Sequence, residues 1–223
     1  MNRYRLALGL MLLGPLICAA EISKSVQVNA AKNIFPTTVT RAYVDKHALP
    51  QPWSYLLVQP LMTVGIENYY QRKTIIQPII AKLDASGKKY SRCIIMLMDS
   101  RKARNNPEVA AQLNESLVAE IAFIRIKMSE LPPKVVDEIL HSNSPFGKIL
   151  LKHNIEIMSQ DQRYFSISCD QNLKILTGCR PYQVMYGRNN SLISKKNKQQ
   201  LAEVTEILPK ISQEMFNNTE RKN

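Results

Sequence analysis

The stretch "YGRNNSLISKKNKQQLAEVTEILP", residues 186–209, has two halves that pull against each other. Its middle is crowded with cations, Lys195, Lys196 and Lys198, and its end is an apolar run carrying two acids, Glu203 and Glu206. A hairpin reconciles them: a charged tip between two β-patterned arms leaves the lysines in solvent. Successive side chains of a strand point to opposite faces, so Glu206 stands either in water or in the interior. Turned inward it would be desolvated, its pKa would rise, and it could donate a proton.

The chain before this hairpin reads the same way. "KTIIQPIIAKLDA" has a strand pattern in which Pro78 calls for an edge position or a bulge. "YSRCIIMLM" reads as a more buried strand, and "VAEIAFIRIK" and "IEIMSQDQRYFSIS" as two further ones. Short helices are expected around Leu56 and Ile66, interrupted by Pro60, with Thr63 as a cap. Pro107 marks the start of another, an amphipathic helix runs from about Pro133 to Leu140, and "KILLKH" begins one more. Helices and strands come in separate runs without βαβ alternation, which predicts one α+β domain on a mostly antiparallel sheet.

The N-terminus reads as a processing signal. "MNRYR" is cationic, "LALGLMLLGPLI" is apolar but too short for an ordinary bilayer span, and "CAA" supplies the small residues of a cleavage site after Ala20. Residues 1–20 are therefore read as a cleaved secretory signal, 21–50 as a linker or arm, 51–212 as the domain and 213–223 as a polar tail. The expected destination is the periplasm or the exterior, with no stable membrane anchor after cleavage. Losing Arg3 and Arg5 with the signal lowers the net charge from +12 to +10. Such a balance favours anionic partners, although a solvated basic face is the ordinary explanation. Nucleic acid is not expected, since no binding motif and few interleaved aromatics accompany the charge. His47, His141 and His153 are scattered and no metal spacing is present, so neither metal nor cofactor is expected. Cys169 and Cys179 bracket "DQNLKILTG" and are open to a disulfide in an oxidising compartment, while Cys93 sits in an apolar strand.

Several arginines could hold a buried anion: Arg92 at the head of an apolar strand, Arg163 before Phe165, and Arg188 at the "YGR" corner. For any one of them a surface ion pair is the commoner role. The order of segments adds to this. "LMTVGIE" (61–67), "YSRCIIMLMD" (90–99), "SPFGKILL" (144–151), "RYFSI" (163–167), "YGRNNSL" (186–192) and "LAEVTEILP" (201–209) together resemble the chorismate pyruvate-lyase family over most of residues 54–209, with an insertion near 100–117. The resemblance implies an antiparallel sheet with helix-turn-helix flaps closing over a buried site. It also implies release of pyruvate from chorismate to leave 4-hydroxybenzoate. Carried over by position, Arg92 would bind a substrate carboxylate and Glu206 would be the catalytic or ligand-contacting acid. The amide of Phe146 would bind ligand through the main chain, and Met62 would line the pocket.

One departure stands out. The family's enteric-type members carry a Gly-Arg pair on the strand matching "VAEIAFIRIK"; here Ala122 and Phe123 occupy it. Arg125, two residues on, would substitute if the register slips. Otherwise one charged hydrogen bond is lost, ~1.5–3 kcal/mol in a dry site. The expected activity is thus a carbon–oxygen lyase, working as a monomer. The alternative is a non-catalytic extracytoplasmic module for a small aromatic carboxylate, which the export signal and Phe123 favour.

Overall fold

The computed structural model describes residues 23–34 and 41–216. The export signal read in residues 1–20 lies outside the described residues. Residues 184–208 form the hairpin that their pattern predicts: β6 (Val184–Ser194) and β7 (Gln200–Leu208) flank a turn that presents Lys195, Lys196 and Lys198 to solvent.

The other elements, in chain order, are α1 (Lys24–Ile34), β1 (Ala42–Val44), α2 (Trp53–Leu56), α3 (Met62–Tyr70), β2 (Thr74–Leu83), β3 (Lys89–Asp99), α4 (Pro107–Gln112), β4 (Ser116–Lys127), α5 (Pro133–His141), α6 (Phe146–Lys152), β5 (Ile157–Ser168) and α7 (Gln171–Thr177). The strands make one sheet in the order β1-β5-β6-β7-β4-β3-β2, and every pairing is antiparallel. This is the α+β single-domain architecture expected from the sequence. Pro78 does what its chemistry requires, lying on edge strand β2 at a bulge between Pro78 and Ile80. Pro107 opens α4, behind an Asn106 side chain that caps the Val109 amide at 3.1 Å.

Both sheet faces are covered. On one face Cys93, Ile95, Ile121, Phe165 and Ile207 pack against α1 and α7. A Cys169–Cys179 disulfide ties down the segment that carries α7, and Cys93 is buried and free. Gly187 on β6 lets the Phe165 ring lie against the strand: a Cβ there would stand 2.5 Å from that ring and 2.3 Å from the Glu206 carbonyl oxygen. The other face is covered by two helical hairpins, α2–α3 and α5–α6, the flaps that the sequence leads one to expect. The first is pinned to the sheet by Trp53, whose Nε1 donates to the Leu208 carbonyl at 2.9 Å and whose ring lies 4.8 Å from that of Tyr186. Among the described residues no helix is long and apolar enough to cross a membrane.

Three expectations need amending. Residues 21–50, read as a linker or arm, contain helix α1, whose Ala30, Ala31 and Ile34 are buried; small alanines gave it too weak an apolar stripe to notice. The stretch read as a polar tail contains a buried residue, Phe216, which packs 6.1 Å from the Tyr70 ring and beneath the Arg72 guanidinium. Thr63 is buried inside the first turn of α3, and Leu61 occupies the cap position.

Candidate functional site

Between the flaps and the sheet lies a cavity of about 60 Å³. At roughly 15 Å³ per water, it has room for about four waters. Strand register decides what faces it. One row across the sheet runs Arg92, Ile124, Val204, Asn190, from β3 through β4 and β7 to β6. The next runs Ala122, Glu206, Arg188, and Glu120 opposes Met96 in the row beyond. All of these line the cavity, whose roof comes from Met62 at the start of α3 and Phe146 at the start of α6.

Arg92, Met62, Phe146 and Glu206 therefore meet, as their positions in the sequence suggest. Arg125 does not join them. It is exposed on the opposite face, stacked 5.3 Å from the Phe123 ring and 3.6 Å from Glu203. The pocket face of β4 is Glu120, Ala122 and Ile124, so a residue two places after Phe123 keeps the wrong parity. Arg163 is likewise exposed, on β5.

The polar groups in this apolar chamber are almost completely dry: Arg188 is 1 %, Glu120 2 %, Arg92 4 % and Glu206 7 % exposed. Arg188 is held through Nε and Nη1. Its Nε donates to Glu206 Oε2, and its Nη1 donates to the carbonyl oxygens of Leu57 and Gln59, each at 2.7 Å. Glu120 was not singled out by its sequence context, an acid inside the apolar run "LVAEIAFI". Burial pushes its carboxyl well above the ordinary range, and the charge of Glu206 pushes it further, against a smaller pull from Arg188. Glu120 is thus the acid of the pair that burial drives toward its neutral form, and Glu206 is the one facing the guanidinium.

Arg92 is different. Its Nη1 donates to the Ser144 carbonyl at 3.2 Å, but its buried Nε makes no hydrogen bond among the described residues. Burial lowers its pKa below the usual arginine value, and Tyr90 opposes the shift. Across the cavity the buried Asn190 donates to Ser159 Oγ at 3.1 Å and leaves its Oδ1 without a partner among the described residues. Three strand spacings of ~4.8 Å put the two backbones roughly 14 Å apart. With both side chains reaching inward, the gap between them suits one aromatic ring.

The flaps also meet each other. Lys148 of α6 donates to Glu67 Oε1 of α3 at 2.9 Å, and Gly147 leaves room for Leu61, whose Cδ2 would lie 2.7 Å from a Cβ there. No group of three or more metal-ligating side chains occurs among the described residues.

No family model matches this chain, and no curated protein matches it. Solved structures do. The ligand-binding domain of a candidate GntR-family transcriptional regulator from Bordetella bronchiseptica is 7 % identical over 67 % of this chain and 92 % of its own, with a TM-score of 0.43. PhnF from Mycobacterium smegmatis is 7 % identical over 73 % of this chain and 68 % of its own, at 0.46. The effector domain of the same PhnF is also 7 % identical, over 67 % and 91 %, at 0.45. At these scores the likenesses assign neither ligand nor reaction.

Proposed function

We propose that this chain is a binding domain for a small aromatic monocarboxylate, held between the sheet and the two flaps. The observation that carries the reading is Arg92: a buried guanidinium with an unused N–H, lining a cavity whose apolar walls include Ile94, Met96, Ala122 and Ile124. A buried cation with an unsatisfied donor is expensive unless an anion completes it. A carboxylate against Arg92 does so, and a hydroxyl donated to Asn190 Oδ1 satisfies the far end. Arg188 is already matched by Glu206, so Arg92 is the cation left for the ligand. This charge count fits a monoanion better than a dianion such as chorismate. On the reading of residues 1–20 as an export signal, the domain works outside the cytoplasm, away from chorismate synthesis.

The buried Glu120, its pKa raised by desolvation and by Glu206, supports a second reading, a chorismate lyase-like carbon–oxygen lyase. A neutral carboxyl in a dry pocket could protonate a departing ether oxygen, and this role would fall to Glu120 in place of Glu206.

Calorimetric titration with 4-hydroxybenzoate separates these readings from no function at the site. Binding is expected, and Arg92→Ala should weaken it ten- to a hundredfold, the ~1.5–3 kcal/mol of a charged hydrogen bond. Unchanged affinity in that variant removes Arg92 from the site. Pyruvate release from chorismate, lost in Glu120→Gln, would establish the lyase reading; its absence leaves the binding domain.

A further inference from the structure

The sheet face that carries α1 and α7 has one end where side chains stand open to solvent. There the ends of β2, β3, β4 and β7 frame a concavity of about 490 Å³. It holds four cations, Lys82, Lys89, Arg125 and Lys127, and two acids, Asp84 and Glu203. The register makes this a patterned surface. Lys82, Ser91, Arg125 and Glu203 form one row across four strands, and Lys89 lies directly opposite Lys127 in the row two residues along. Two residues of antiparallel strand are about 6.8 Å, so the rows flank a space the size of a small anion.

Like charges directly opposite on neighbouring strands destabilise a sheet. Local relief is partial: the Asp84 carboxyl is held below its ordinary range chiefly by the Lys89 amide, with the Lys89 charge adding to it. Lys82, Lys89 and Lys127 form no ion pair among the described residues. Asp84 is occupied by its own turn, accepting from the Lys88 and Lys89 amides at 2.9 and 3.1 Å and from Ser86 Oγ at 2.8 Å. Lys127 is aimed by a neutral acceptor, Gln200 Oε1 at 2.7 Å. Glu203 is shared between Arg125 at 3.6 Å and Gln200 Nε2 at 3.3 Å. Four cations against two acids leave +2 on the lining. A phosphomonoester carries about −1.5 to −2 at neutral pH and offers three acceptor oxygens.

We propose that this concavity binds the phosphate group of a soluble phosphorylated small molecule, with Lys89 and Lys127 clamping the phosphate and Lys82 and Arg125 completing its neutralisation. The recess favours a soluble ligand over a flat anionic bilayer. The site is separated by the sheet from the cavity of Arg92 and is independent of what binds there.

The test uses the full chain in chloride buffer, with inorganic phosphate and glycerol phosphate as probes, followed by calorimetry and thermal melting. Saturable binding is expected. Lys89→Gln and Lys127→Gln should each weaken it about tenfold, and the double variant should abolish it, with 4-hydroxybenzoate binding unchanged. Lys89→Gln should also melt no lower than the parent in chloride, because it relieves the repulsion. Sodium chloride raising the melting temperature as much as phosphate at matched ionic strength would overturn the proposal. So would unchanged phosphate affinity in the double variant, or binding to anionic phospholipid vesicles without binding to either soluble phosphate.

Discussion

Removing Arg188 should show how the pocket is held shut. Arg188→Met keeps most of the side-chain volume and deletes the guanidinium. Glu206, 7 % exposed, then keeps a buried charge without its partner. Breaking a buried pair from one side costs about 3–5 kcal/mol. The Leu57 and Gln59 carbonyls also lose charge-assisted hydrogen bonds of 2.7 Å. A net loss of about 4 kcal/mol is therefore expected, a large part of the ~5–15 kcal/mol typical of a domain. For a chain of this size that is a fall in Tm of about 8–16 °C. Arg188→Met combined with Glu206→Gln should recover most of it, since no charge is then stranded. Urea titrations followed by circular dichroism measure all three proteins. A single variant that loses under ~1 kcal/mol, or a double variant no more stable than the single, would refute the account of Arg188 as the counter-charge of Glu206.

Glu120 makes stability depend on pH in a sense opposite to most carboxylates. Its folded pKa is raised, so above the ordinary value of 4.5 the unfolded chain has released this proton while the folded chain keeps it, and stability falls as pH rises toward the folded pKa. The slope is at most ~1.4 kcal/mol per pH unit, and Glu120→Gln should flatten it between pH 5 and 8; parallel urea midpoints in the two proteins would count against it. Gly187→Ala forces a methyl into the Phe165 ring and the Glu206 carbonyl, and a loss of ~1–3 kcal/mol should appear in thermal melts. Cys169 and Cys179 are separated by 10 residues, so reduction should cost roughly 2.7 kcal/mol by loop-closure entropy, read as a lower Tm in reductant.

Much of the fold is written in local pattern. The hairpin of β6 and β7 follows from a charged tip between alternating arms, and Pro78 and Pro107 can occupy few places other than an edge bulge and a helix start. The site is legible in part. Arg92 and Glu206 converge because the register of β3 and β7 against β4, opposite Ile124 and Ala122, puts them on the same sheet face. Glu120 and Arg125 were unreadable for a physical reason. With helices on both sides of the sheet, β4 is apolar on both faces, so alternation no longer tells inside from outside. A register shift beside Met96, where Glu120 pairs, further blurs the phase. Helix α1 was missed because burying alanines requires little hydrophobicity.

Arg188 grips the first helical hairpin through main-chain oxygens. Such a grip does not depend on which side chains stand at Leu57 and Gln59, and it takes no part of its hold from the roof side chains of Met62 and Val64. The shape of the chamber can therefore change by exchange of those two side chains while the clasp that closes it stays the same.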